Sequence, residues 1–298
     1  MLYSYHVFNN LHYLCWRRKC PKKLRKMRLL AQTLLFQNCA NLIEFVKKII
    51  FNPEFLARHR KSDKDFIRTR KLPFPTLIVF LMDLATGSYQ NELNRFFRLL
   101  IPSDLPGKFV SKVALAKARM KMGFQAFVEL NGHLVDYFYQ SMPANRWHGY
   151  NLLAVDGTLL RLPKIDDIMK HFGVWQSRKG DDRPMARVSQ LFDPLNKVSI
   201  DTIISPKSDG ERELAARHFF KLTTGDLVLL DRGYPAYWLF NLILSMGAHF
   251  CARISSRKWK VIRKFVNSGK REAIISLPVF SSSLEKCKEL GLEISSLR

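Results

Sequence analysis

Two aspartates each close a short aliphatic run. Leu152-Leu153-Ala154-Val155 ends in Asp156-Gly157-Thr158, and Leu227-Val228-Leu229-Leu230 ends in Asp231-Arg232-Gly233-Tyr234. Short aliphatic runs bounded by glycine and polar residues read as buried strands. A carboxylate at the mouth of each of two central strands can reach one shared divalent cation. Mg²⁺ is commonly held by one or two carboxylates, its other positions left to water and phosphate oxygens. Two such ions, roughly 3.5–4 Å apart, clamp the attacking and leaving oxygens of an in-line phosphoryl transfer. Each aspartate also has a plainer reading. Asp-Gly is a common hairpin turn. Asp231, with Gly233 and Pro235 after it, can cap a helix that starts near Pro235. Either residue alone is ordinary; the pair, with its flanking segments, favours chemistry.

The elements that must position them follow from the surrounding pattern. After the strand 152–156 comes a connection holding Asp166, Asp167 and the loop Arg178 to Arg183. Two strands follow, Ala186 to Phe192 and Val198 to Ile204, joined by the turn Asp193-Pro194-Leu195-Asn196. A helix from about Gly210 to Leu222 precedes the strand 227–231, then a helix 235–246 and a strand 248–254. The order is β-β-β-α-β-α-β. Upstream, Leu34, Leu35, Leu42, Phe45, Val46 and Ile49 recur at helical spacing. Asn52-Pro53 breaks that helix, and a charged stretch runs from Arg58 to Lys71. Pro73 and Pro75 open another helix. Ser88 can cap Tyr89 to Leu100, and Pro102, Pro106 and Gly107 form a loop. Ser111 can cap a helix carrying Lys112, Lys117, Arg119 and Lys121; Gly123 ends it, and a further helix runs from Phe124 to Tyr139. Those basic residues are most simply a solvated face. Pro143 to Trp147 reads as a linker.

With these elements in place the chain resembles the DDE transposases of bacterial insertion sequences, in the insertion-sequence-four group. The matching segments are GYNLLAVDGTLLRLP (149–163), ISPKSDGERELAARHFFKL (204–222) and GDLVLLDRGYPAYWLFNLILSMGAHFCARIS (225–255). RKLPFPTLIVFLMDLATGSYQNELNRFF (70–97) and the stretch from Ser111 to Tyr139 match as well. The likeness runs from about Met27 onward, and the DRGYPA core is its most specific part. It implies an α/β fold with an RNase H-like core, a mixed sheet with flanking helices, in which the first and fourth strands are neighbours. It also implies three metal-binding acids. Asp156 matches the first and Asp231 the second, so both are expected as catalytic metal ligands for Mg²⁺, with Mn²⁺ as the alternative.

The third acid departs from the pattern. The family carries it in Tyr-x2-Arg-x3-Glu-x6-Lys, and of Glu272, Glu285, Glu289 and Glu293 none has that setting. Glu272, for example, has Phe265, Ser268 and Val279 at the three flanking places. The expectation is a transposase truncated at its C-terminus. Its parts are a basic extension (1–26), a helical DNA-binding region (27–142), an incomplete catalytic core (149–255) and the start of a β-rich insertion (256–298). The implied activity is metal-dependent strand cleavage and transfer at the ends of an insertion sequence. The alternative is a non-catalytic DNA-binding remnant that inhibits an intact transposase.

Composition bounds these readings. The 298 residues are 47% apolar, which argues for a folded chain with a sizeable core. Lysine and arginine number 49 against 25 acids, a formal charge of +24. Such a surplus fits double-stranded DNA as partner, through counterion release from neutralised phosphates; here that means terminal inverted repeats and target DNA, with a homodimer on DNA as the assembly to test. A membrane surface is the rival, but no single Lys-rich amphipathic helix supplies the charge. No apolar run reaches the roughly 18 residues of a membrane span, and no signal-peptide pattern opens the chain. Five cysteines, an odd number, suit free thiols in a reducing cytoplasm; the resemblance implies a bacterial, nucleoid-associated place for it. His12, Cys15 and Cys20 lack the fourth ligand of a structural zinc site. No GxSxG or Cys-His signature supports a hydrolase. Arg232 and Arg253 flank the aspartates, where phosphate contacts or salt bridges are both open. Lys258, Trp259 and Lys260 form a basic cluster around an aromatic, able to grip a strand and stack a base, unless the tryptophan packs on the sheet.

Overall fold

A computed structural model describes residues 38–68, 71–83, 87–100, 110–176, 180 and 182–294. The basic extension 1–26, the His12/Cys15/Cys20 group, Leu34 and Leu35, the loop at Pro102–Gly107 and Arg178 lie outside the described residues. The chain forms two compact units that divide between Met142 and Pro143.

The first unit is helical among its described residues. Residues 38–50 are helical, and α1 (Pro53–His59) follows after Asn52, whose side chain accepts the Glu54 N–H at 2.8 Å with Pro53 opening the helix. Next come α2 (Phe74–Met82), α3 (Tyr89–Leu100), α4 (Lys112–Arg119) and α5 (Gln125–Ser141). Ser111 caps α4 by accepting the Ala114 N–H at 3.2 Å. Phe55, Phe74, Leu77, Ile78, Leu93 and Leu115 fill the core. Edge-to-face ring pairs such as Phe80–Phe96, at 5.3 Å, fix how the helices meet.

The second unit is a mixed α/β structure. Its elements are β1 (Asn151–Arg161), α6 (Asp166–Phe172), β2 (Val174–Trp175), β3 (Arg183–Asp193), β4 (Val198–Ser205), α7 (Glu211–Phe219), β5 (Asp226–Leu230), α8 (Tyr237–Ser245), β6 (His249–Ala252), α9 (Lys260–Asn267) and α10 (Ser281–Glu289). The sheet runs β3-β1-β5-β6, with β2 and β4 both pairing to β3. β3 is antiparallel to β1 and β4, while β1–β5 and β5–β6 are parallel. Parallel neighbours need a crossover, and α8 makes one between β5 and β6. Every residue from Tyr237 to Ile243 in α8 is buried, as a helix apolar on all sides must be. It packs against α7, β6 and α10.

Two expectations change. β1 does not stop at Asp156 but continues to Arg161, because its pairing with β3 runs on from Gly157↔Ser189 to Arg161↔Met185. The segment from 256, expected as the start of a β-rich insertion, is helical: α9 and α10 occupy it, and no strand follows Ala252 among the described residues. Val261, Ile262, Phe265 and Val266 recur at helical spacing, and Cys287 of α10 is buried against α8, where Asn241 Nδ2 donates to its sulfur at 3.7 Å. The apolar run Ala273 to Leu277 joins no ladder. Among the described residues no helix is long and apolar enough to cross a membrane.

Candidate active site

Asp156 lies in β1, and Asp231 follows the end of the neighbouring β5. The parallel register runs from Asn151↔Asp226 to Ala154↔Leu229, two residues before each aspartate. Adjacent strands lie about 4.8 Å apart and matched positions share a face. Both residues are solvent-exposed, just past the C-terminal end of β5, the end at which open α/β sheets receive ligands.

Neither plainer role for these aspartates holds. Gly157 is inside a strand, so Asp156-Gly157 makes no hairpin. Ala236 is the N-cap of α8, and no side chain caps it, so Asp231 is not its cap. Instead the Asp231 carbonyl accepts the Tyr234 N–H at 3.0 Å, closing a turn that turns the carboxylate outward. That carboxylate meets Arg253 Nη1 at 3.1 Å, with 61% and 66% of the two side chains exposed. An ion pair so open to water contributes little to stability. Asp156 accepts the N–H of its neighbour Gly157 at 2.8 Å.

Four further residues lie around the pair. The Tyr234 hydroxyl lies 3.6 Å from where a Cβ on Gly157 would stand, so it packs on β1 next to Asp156. Burial, then the negative charges of Asp156, Glu211 and Asp231, push the phenol up to about 12, against the opposing charge of Arg187. Tyr234 is therefore a neutral hydrogen-bond donor among carboxylates at neutral pH. Glu211 opens α7 and accepts from Arg187 Nη1 of β3 at 2.6 Å. Arg212 lashes α7 to the Asp231 turn: its Nε donates to the Gly233 carbonyl at 3.1 Å and its Nη2 to the Pro235 carbonyl at 3.2 Å. Arg187 and Lys207 also sit over the Trp175 ring, at 5.7 and 5.0 Å. Sequence reasoning did not find Arg187 or Tyr234. The only local signal was Tyr234 itself, three residues after Asp231 where a tight turn returns a side chain to the strand.

Among the described residues no three Asp, Glu, His or Cys side chains group to hold a metal. The donor set is two exposed, acceptor-only carboxylates, which suits a Mg²⁺ ion whose other positions are taken by water and phosphate. Arg232, Arg253, Lys258 and Lys260 are exposed, as phosphate contacts require. Trp259 is not available to stack a base. It is 7% exposed, near Phe240 at 6.5 Å and Phe280 at 6.0 Å, because its place at the N-cap of α9 turns the ring into the core.

A second constellation has the form of a nucleophile triad. His218 Nδ1 is 2.8 Å from Asp201 Oδ2 and its Nε2 is 3.1 Å from Ser189 Oγ. His218 is 0% and Ser189 2% exposed, so no substrate reaches them. Burial raises the Asp201 carboxyl, but hydrogen bonds from His218 and Lys221 outweigh it and the net shift is downward. The group pins β3, β4 and α7 together.

The sequence of the second unit is similar to that of DDE transposases. Residues 147–288 match the family described as transposase DDE domain. The transposase InsG for insertion sequence element IS4, from Escherichia coli (strain K12), is 22% identical over 250 residues, covering 82% of this chain and 56% of that protein. These two similarities support a DDE transposase of the insertion-sequence-four type. A cryo-EM structure of the piggyBac transposase synaptic complex with hairpin DNA is similar at 13% identity and a TM-score of 0.38, over 80% of this chain and 54% of that one, too distant to argue from. The chain spans little more than half the length of either.

Proposed function

We propose that this chain acts in DNA transposition, with Asp156 and Asp231 as paired ligands of one Mg²⁺ or Mn²⁺ ion at the ends of an insertion sequence. The observation that supports the reading is the parallel β1–β5 register, which if continued by two residues would set the two exposed aspartates side by side. The strand order and senses support an RNase H-like core. A bound ion would supply Lewis-acid polarisation of a phosphodiester. The chain's own residues do the rest. Asp156 and Asp231 offer acceptor oxygens on one side of the strand ends. Arg253 pairs with Asp231 and, being exposed, can turn to a DNA phosphate. Arg232, Lys258 and Lys260 offer further phosphate contacts, which position DNA without reading its sequence. Tyr234 holds a neutral hydroxyl against the same edge. Terminal repeats and target DNA are the substrates, and a homodimer on DNA is the assembly to test.

The test is divalent-ion binding by the purified chain, followed by Mn²⁺ paramagnetic resonance. One weak site is expected, lost in Asp156→Asn and in Asp231→Asn. Undiminished Mn²⁺ binding in both variants would sink the assignment.

A second reading has these residues bind DNA without cutting it and interfere with an intact transposase; it is favoured by the finding that, among the described residues, no three Asp, Glu, His or Cys side chains group to hold a metal. One ion leaves either the attacking or the leaving oxygen without its clamp. A loss of about 4 kcal/mol of transition-state stabilisation already costs roughly a thousandfold in rate. This chain alone is therefore expected not to cleave a labelled element end in Mg²⁺ or Mn²⁺. Specific cleavage abolished by Asp156→Ala would show that another carboxylate, Glu211 foremost, completes the site.

A further inference from the structure

The helix α4 stands proud of the first unit. Of its eight residues, Lys112, Val113, Ala114, Ala116, Lys117 and Arg119 are exposed or half-exposed, while Leu115 anchors it in the core and Ala118 is half-buried. A groove runs along each flank. The smaller, about 340 Å³, includes Lys112 and Arg119, the latter with its guanidinium 5.9 Å from the Tyr89 ring centroid. The larger, about 1140 Å³, is lined by Lys64, Arg68, Lys71, Lys117 and Lys121 over an apolar floor that leaves Ile67 66% exposed. All five cations are exposed. Lys121 meets Asp65 at 3.1 Å, so one of the five already has a counter-charge.

The floor of the larger groove is held in place by backbone bonds between the end of α1 and the turn after α4. The Gly123 N–H donates to the His59 carbonyl at 2.8 Å and the Lys61 N–H to the Lys121 carbonyl at 2.9 Å. These two bonds tie the start of the segment that carries Lys64 to the turn that carries Lys121.

We propose that α4 is the DNA-reading helix of this unit, seated in the major groove of a duplex with the phosphates of the two strands against the cations in its flanking grooves. The proposal rests on the transposase reading and adds the surface that would carry it. Eight residues make a helix about 12 Å long, and the major groove is about 12 Å wide. The crest is Val113, Ala114 and Ala116, small enough for the backbone to approach base edges, and Val113 offers a methyl contact to thymine. Cations on both sides of a narrow apolar crest match two phosphate rails on either side of a groove. A protein partner would not require that symmetry.

The experiment is fluorescence anisotropy of the full chain with a labelled duplex of about 30 base pairs and arbitrary sequence, from about 50 to 200 mM salt. Two variants are compared with the parent chain: Lys64→Ala/Arg68→Ala/Lys71→Ala/Lys117→Ala, and Ala116→Glu, which sets a carboxylate on the crest. Each phosphate left without its cation lowers the slope of log K against log salt by about 0.9, so the fourfold variant should give a slope shallower by about 3 to 4. Ala116→Glu should weaken binding more than tenfold with an unchanged thermal midpoint. If the parent chain binds and both variants bind as it does, α4 is not the reading helix and the transposase reading stands. If the parent chain does not bind duplex DNA at low salt, the wider reading fails with it.

Discussion

Tyr234 is the residue whose chemistry depends most on its surroundings. Its hydroxyl is buried beside β1 with three carboxylates near it, and its pKa is pushed up to about 12 from 10.0. An acid raised in the folded state supplies stability that is complete below its unfolded pKa and is lost as pH rises through the folded value. The window is therefore pH 10 to about 12. Two pKa units correspond to on the order of 2 to 3 kcal/mol. Tyr234→Phe is expected to keep more of its stability across that window, read as a smaller fall in urea midpoint than the parent chain shows. Equal falls in both proteins would mean that the phenol does not sense its burial. Trp259 makes a second test at this scale. Buried between Phe240 and Phe280, it should cost about 3–5 kcal/mol when cut to alanine. A base-stacking side chain on the surface would cost far less stability and more DNA affinity.

At the scale of elements, the joint between α1 and α5 is set by one carboxylate. Glu129 accepts from Arg58 Nη2 at 2.5 Å and meets His59 Nε2 at 2.8 Å. The Arg58 hydrogen bond, helped by His59 and opposed by burial, holds the carboxyl down to about 2 from 4.5. A depressed acid supplies stability above its unfolded pKa and loses it as pH falls through the folded one. The helical unit should therefore weaken between about pH 4.5 and 2. Glu129→Gln should flatten that acid limb and lower the melting temperature at neutral pH; an unchanged limb would point to other carboxylates. Ser111 is the matching case at the start of α4. Loss of its bond to the Ala114 N–H in Ser111→Ala should cost about 1 kcal/mol, measurable by denaturant titration.

For the whole molecule, the dominant property is charge. With a surplus of +24, attraction to duplex DNA should be strong at low salt and fall steeply as salt rises. Binding that stays flat from about 50 to 200 mM salt would reject phosphate neutralisation as its source. Of the two units, the helical one carries α4 and its grooves, and the α/β one carries Asp156 in β1 and Asp231 just past β5.

Much of this was readable in the linear order. Aliphatic runs punctuated by glycine and proline mark β1, β3, β4 and β5, and Asn52, Ser88 and Ser111 mark helix starts, because periodicity and capping are local properties. The same locality explains what could not be read. β1 runs five residues past Asp156 because β3 continues to pair with it, and a strand's length is set by its partner. α10 is held because Cys287 and its neighbours close over α8, a surface built more than forty residues earlier. Trp259 is legible as an aromatic among cations, but its burial depends on Phe240 and Phe280. Sequence by itself determined which aliphatic runs end in an aspartate. Only the tertiary structure decided that β1 and β5 pair in parallel in that register, that Arg187 holds Glu211 nearby, and that Asp156 and Asp231 face solvent. Register, burial and ion pairing are set by residues far apart in the chain, and no local window contains both partners.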